Sequence, residues 1–139
     1  MTEWQVEMAD IISEIARNLV AKHGSENRGI LLLSRISTDS ITYSVFIGEQ
    51  GYIQYCNVVS DDRENLDLLW ELAFTPPPAS RCEAIEMFIK SGKLTTNILY
   101  AKDIDLERDE FEVRNEVVHS YFGDGKIIYP PMPFGSWEL

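Results

Sequence analysis

The sequence has few of the residues on which most catalytic and metal sites depend. Its 139 residues include two histidines and two cysteines, and Cys56 and Cys82 form no CxxC pair. A zinc site is therefore not expected, and both thiols are interpreted as core residues of a protein in a reducing compartment. There is no GxSxG motif and no phosphate-binding glycine pattern. The sequence thus predicts no cofactor, no metal ion and no enzymatic activity.

Long apolar runs and positive charges are also scarce. No apolar stretch approaches the roughly 18 residues that cross a bilayer, and the N-terminal segment carries Glu3, Glu7 and Asp10 where a signal peptide would be basic. Twelve Lys and Arg residues against 23 Asp and Glu residues give a formal net charge of −11. Such a surface repels nucleic acids and anionic membranes and attracts basic proteins. We expect a cytoplasmic protein with a protein partner, unless the excess acid serves only solubility.

Apolar residues with helical spacing predict three helices. The first ends at Gly24, and its apolar stripe consists of Trp4, Met8, Ile11, Ile12, Ile15 and Leu19. The second begins in the acidic stretch near residue 61 and ends at the three prolines 76–78. The third is predicted over about 108–122, with an apolar side made of Phe111, Val113, Val117, Val118, Tyr121 and Phe122.

Stretches rich in β-branched and aromatic residues predict the strands. Three antiparallel strands are expected at roughly 29–37, 40–48 and 51–58. The second alternates between a buried and a mixed face, as in a sheet covered by helices on one side. Residues 81–90 fit a helix or a strand, but the KSGK turn and the strand-like KLTTNILY that follows it favour a hairpin.

These elements predict an α+β fold in one domain over residues 1–139. Its mainly antiparallel sheet should have about five strands, and the order of elements is α-β-β-β-α-β-β-α. The segment KIIYPPMPFGSWEL contains three prolines and should run extended over the surface as a Pro-rich tail. Tyr129, Phe134 or Trp137 would anchor this tail.

An acidic run, DIDLERDEFEVR from Asp103 to Arg114, raises the question of a metal or partner site. A calcium loop needs Gly at its sixth position and Glu at its twelfth, where this run has Arg108 and Arg114. A nuclease with clustered carboxylates would need a basic patch, which is missing. His119 is interpreted as a surface or capping histidine rather than a catalytic base.

Part of the acidic run is expected to cap the first turn of the third helix, where the helix dipole favours negative charge. Arg114 is expected to tie that helix to a nearby carboxylate, and Glu112 and Glu116 should form an outward acidic ridge. The candidate residues for binding a partner are Asp103, Asp105, Asp109, Glu112 and Glu116.

The stretch from Gly92 to Pro131 resembles the YezG-type antitoxin and immunity proteins that accompany polymorphic bacterial toxins, including those of contact-dependent growth inhibition systems. In that family a glycine turn, a strand ending in an aromatic, an acidic stretch and a helix with an arginine lead to an aromatic and a glycine. The matching positions here are Gly92, Leu94, Tyr100, Asp103, Asp105, Arg114, Tyr121 and Gly123. The resemblance implies a non-enzymatic inhibitor that binds and blocks a cognate toxin, often a nuclease.

Two other functions stay open. Small acidic secretion chaperones have a similar order of helices and strands and bind an effector segment along apolar patches as dimers, and the apolar LDLLWELAF helix would suit such a role. A metal-dependent hydrolase is the second alternative. The sequence leaves the oligomeric state open, with a monomer favoured.

Overall fold

A six-stranded, mostly antiparallel sheet forms the centre of the fold, and helices pack on both of its faces. The structure, a computed structural model, describes residues 1–24, 27–56 and 63–129. In chain order the elements are α1 (Glu3–His23), β1 (Ile30–Ile36), β2 (Ile41–Glu49), β3 (Tyr52–Cys56), α2 (Arg63–Phe74), β4 (Ala84–Lys90), β5 (Lys93–Leu99), α3 (Glu110–Phe122) and β6 (Lys126–Ile128). Single 3₁₀ turns lie at Pro78–Ser80 and Ala101–Asp103.

The strand order across the sheet is β5-β4-β1-β2-β3-β6. The predicted α+β class and the order α-β-β-β-α-β-β-α are confirmed. The expected number of about five strands is one too low, because β6 in the predicted tail pairs in parallel with β3. Tyr129 contacts the rings of Tyr55 and Phe111, as expected for an anchor. Residues 130–139, with the other two predicted anchors, lie outside the described residues.

The ambiguous segment 81–90 forms a strand, so the predicted hairpin is confirmed. Lys90 pairs with Lys93 across a two-residue turn. Both turn residues, Ser91 and Gly92, have positive φ angles, 52° and 77°. Turns of this kind match the twist of the flanking strands, and glycine takes such angles without a steric penalty. The turn therefore fixes the register between β4 and β5.

One face of the sheet, called here the α1 face, is covered by α1 and α2. A capping box between Thr2 and Gln5 starts α1. The predicted stripe packs inward, with Ile15 and Leu19 fully buried. On the sheet, Leu32 lies between Val45 and Met87 of the neighbouring strands, and all three side chains belong to the same core. None of the helices in the described ranges is long and apolar enough to cross a membrane.

The opposite face, called the α3 face, carries α3, so the expectation of helices on only one side is wrong. A second, smaller core lies here; its buried members are Leu31, Phe46, Ile53 and Val118. The sequence pattern did not reveal this second layer, because the strand positions that face α3 are a mixture of apolar and polar residues. They are mixed because α3 covers only part of this face. Gly29, just before β1, permits close contact with the Phe88 and Phe122 rings.

Candidate functional site

A groove lies on the α3 face of the sheet, beside the first turn of α3. Its volume is about 820 Å³, which is within the range of about 300–1,000 Å³ found for ligand pockets. Side chains of β1, β2, β4 and β5 form its floor, and the acidic run between β5 and α3 forms one wall. The helix packs on Leu31 and Phe46, and the groove begins further along β1, at Leu33 and Arg35.

Three aspartates of the predicted site stabilise the backbone of the groove wall through local hydrogen bonds. Asp103 accepts a hydrogen bond from the backbone N–H of Tyr100 at 2.9 Å, and Asp105 accepts one from that of Glu107 at 3.0 Å. Asp109 is the N-cap of α3 and accepts from the N–H of Phe111 at 2.9 Å. The predicted capping of the third helix is confirmed for Asp109, whereas Asp103 and Asp105 bond to turns that precede the helix. Each carboxylate accepts one such hydrogen bond and stays exposed to solvent. This local bonding is therefore compatible with the predicted role of these residues in partner binding.

The predicted acidic ridge on α3 is partly neutralised by Arg108. Its guanidinium forms two hydrogen bonds with Glu116, at 2.6 and 2.9 Å, and one with Glu112 at 3.4 Å. These bonds lower the pKa of Glu116 below its usual value, mainly through the hydrogen bond from Arg108. The ridge is exposed, as predicted, but it presents less negative charge than its sequence suggests.

A second arginine joins the sheet to the helix. Arg35, on β1, lies 3.5 Å from the carboxylate of Glu110 in the first turn of α3. The carboxylate also lies where the positive end of the helix dipole favours it. This ion pair connects the floor of the groove to its wall. Arg35 and Glu110 are far apart in the sequence, and no sequence pattern indicates that they are in contact.

Arg114 pairs with no carboxylate of the described residues, contrary to the expectation. Its guanidinium lies among three aromatic rings, 4.9 Å from the centroid of Phe111, 5.5 Å from Tyr55 and 5.8 Å from Phe46. Cation–π attraction therefore replaces the expected ion pair. Among the residues that the structure describes, the buried Nε atom of Arg114 has no hydrogen-bond partner. Other atoms of this side chain line the groove.

Glu86 is a carboxylate on the groove floor that sequence reasoning missed. It accepts a hydrogen bond of 2.8 Å from the hydroxyl of Tyr121 and one of 3.3 Å from the amide of Asn97. Burial, followed by the bond to Glu86, raises the pKa of the Tyr121 hydroxyl above its usual value. A charged residue in the middle of an apolar strand, AIEMFIK, was the signal that could have identified it.

The remaining titratable groups do not form a metal site in the described ranges. No group of three or more His, Cys, Asp and Glu side chains there has the geometry to hold a metal ion. His119 contacts the carbonyl of Gly125 at 3.0 Å and so links α3 to the segment before β6. Burial raises the pKa of the Cys82 thiol, which makes this cysteine a poor nucleophile.

The structure brings three of the five predicted partner-binding residues to the groove and leaves two outside it. Asp103, Asp105 and Asp109 line the wall, whereas Glu112 and Glu116 do not line the groove. Sequence reasoning missed the contributions from the sheet, which come from strands far apart in the chain. No model of a known protein family matches the chain, and no curated protein matches it significantly.

Proposed function

We propose that this protein is an immunity protein that binds and neutralises a basic toxin domain, of nuclease type, through the acidic side of the groove. One observation carries the proposal. Within residues 1–24, 27–56 and 63–129, four carboxylates line the groove without an arginine or lysine partner: Glu86, Asp103, Asp105 and Asp109. They belong to a chain with a net charge of −11.

The charge of the partner follows from electrostatics. A nuclease must be basic where it holds nucleic acid, so an acidic protein can occupy that surface and exclude the substrate. Complementary charges also accelerate the encounter of two proteins. Raising the salt concentration should slow association, because charges further apart than about 8–10 Å are screened at physiological ionic strength.

The chaperone alternative rested on the apolar residues of α2. Leu69, Leu72 and Ala73 are buried, and Leu66 and Leu68 pack against the same core. The exposed end of the helix is a stack of Trp70 on Phe74, with the Arg81 guanidinium 4.9 Å from the Phe74 ring. Most of the apolar side of α2 is thus used within the fold, which leaves little of it for an effector segment.

The test compares two variants of equal charge. Replacing Asp103, Asp105 and Asp109 with Asn removes three charges but keeps an oxygen that can cap the backbone, which lysine would not do. The control replaces three exposed acids of α1, on the opposite face, with their amides: Glu7, Asp10 and Glu14. Both variants change the formal charge from −11 to −8, since three of the charges in the sequence are removed.

Binding is measured with the toxin encoded by the neighbouring gene, by calorimetry and by neutralisation of its activity. We expect the groove variant to bind about tenfold or more weakly and the α1 variant to bind nearly as the wild type does. Equal loss in both would indicate that only net charge matters. A wild-type protein that neither binds nor neutralises the toxin would refute the proposal, and binding without neutralisation would favour the chaperone alternative.

A further inference from the structure

The floor of the groove is suited to an apolar side chain. Leu33 of β1, Ala84 of β4 and Leu99 of β5 contribute apolar surface, and the hydroxyl of Ser44 lies among them. All four residues are on the α3 face: Leu33 is paired with Ser44 and Ala84 with Leu99, while Glu86 and Arg35 lie directly opposite Leu33 and Ala84. Contact with apolar side chains of a partner would remove this surface from water.

The mouth of the groove carries two large apolar side chains that the fold leaves in solvent. Leu106, in the wall, is 82% exposed, and Phe111, in the first turn of α3, is 51% exposed. Both line the groove. A leucine with this exposure contributes almost nothing to the folded state of the chain, because it buries so little surface. Its position beside an apolar floor suits contact with a partner.

Polar groups at the groove define what such a partner must supply. The carboxylates of Asp103, Asp105 and Asp109 can pair with ammonium or guanidinium groups. They would repel phosphate groups, which disfavours a nucleotide or a nucleic-acid backbone as the occupant.

We infer that the groove binds a short peptide segment of the toxin, in which a large apolar side chain is flanked by lysine or arginine. The apolar side chain lies on the floor between Leu33 and Leu99, and the basic side chains reach the aspartates of the wall. This inference rests on the proposed function for the identity of the partner. It adds the part of the toxin that is bound and the surface that binds it.

The first test fills the groove without changing its charge. Ser44→Trp places a large ring on the floor at a position whose side chain makes no hydrogen bond within the described residues, and aromatic residues are favourable in strands. Its control, Thr95→Trp, puts the same ring on the same face at an exposed strand position outside the groove. The second variant, Leu106→Ser, changes a residue that is too exposed to affect folding.

Affinity is measured by calorimetry with the toxin domain of the neighbouring gene and with overlapping peptides that cover its sequence. We expect a loss of about tenfold or more for Ser44→Trp, about threefold or more for Leu106→Ser, and none for Thr95→Trp. The peptides that bind should contain the apolar residue with basic neighbours, and circular dichroism monitors the fold of each variant.

The outcomes separate the two proposals. Wild-type affinity in both groove variants, with the toxin still neutralised, overturns the groove inference and leaves the immunity function standing. If Ser44→Trp fails to fold, Leu106→Ser decides alone, since this change leaves the core intact. A wild-type protein that does not bind the toxin domain overturns both proposals.

Discussion

The two faces of the sheet are built from the same strands and differ in almost every other respect. On β1, Leu32 points to the α1 face and is fully buried, whereas its neighbour Leu33 points to the α3 face and lines the groove. The α1 face is sealed by two helices and lined by aliphatic side chains. The α3 face has one helix, aromatic rings, paired and unpaired charges, and an open groove. Because the α1 face supplies most of the buried apolar core, the α3 face can carry polar and charged side chains.

The largest expected effect tests this difference with two adjacent leucines. Leu32→Ala should lower the free energy of unfolding by about 2–5 kcal/mol, because it opens a cavity in a sealed core. Leu33→Ala should cost about 1 kcal/mol, because that side chain is already partly exposed to the groove. Urea unfolding monitored by circular dichroism measures both. Equal losses would mean that the α3 face is as tightly packed as the α1 face.

Sequence patterns predicted the α1 face well and the α3 face poorly, for a physical reason. Helical spacing and strand alternation are local, so they identified α1, the first three strands and the hairpin. The α3 face depends on contacts between distant positions, such as Arg35 with Glu110 and Tyr121 with Glu86. The periodicity of a helix or a strand does not predict such contacts.

The acidic run illustrates the same limit within one segment. That part of it caps the third helix could be predicted, because a cap and its helix are adjacent in the sequence. The position of Arg114 could not, because two of its three aromatic neighbours, Phe46 and Tyr55, come from β2 and β3. The groove is formed by the acidic run and four strands. Only its wall, which consists of the acidic run, could be predicted from the sequence.

A glycine substitution tests how closely α3 approaches the sheet. Gly29 has a φ angle of +104°, and an added Cβ would lie 2.7 Å from the Phe88 ring and 3.0 Å from the Phe122 ring. These rings pack edge to face on each other and cannot move apart easily. We expect Gly29→Ala to destabilise the fold by about 2–3 kcal/mol.

The control for this prediction is Gly51→Ala in the β2–β3 turn. Gly51 also has a positive φ angle, +86°, but nothing lies within 4 Å of an added Cβ. Only the backbone cost of a left-handed conformation remains there, about 1 kcal/mol. Thermal unfolding of the two variants separates backbone strain from contact with α3. If they melt at the same temperature, the rings move aside and the α3 layer is loosely packed.

The smallest effect concerns the outer edge of the α3 face, which is held by charges instead of apolar packing. Arg108 lowers the pKa of Glu116 through its hydrogen bonds. A carboxylate whose pKa is lower in the folded than in the unfolded chain stabilises the fold above the unfolded pKa, about 4.3 for glutamate. This contribution disappears as the pH falls through the lowered pKa of the folded protein.

Arg108→Gln should therefore raise the pKa of Glu116 towards its ordinary value, as measured by an NMR titration of the side-chain carboxyl. The difference in stability between wild type and variant should be small at neutral pH, because the pair is exposed to solvent. It should vanish in acid, once Glu116 is protonated in both proteins, and shrink in high salt.

Lys102→Gln is the matched control. It removes one exposed positive charge from the same segment, and Lys102 forms no ion pair within the described residues. If the pKa of Glu116 were the same in wild type and Arg108→Gln, the pair would not form in solution. The ridge on α3 would then present the full charge of Glu112 and Glu116 to a partner, and the acidic surface would extend beyond the groove.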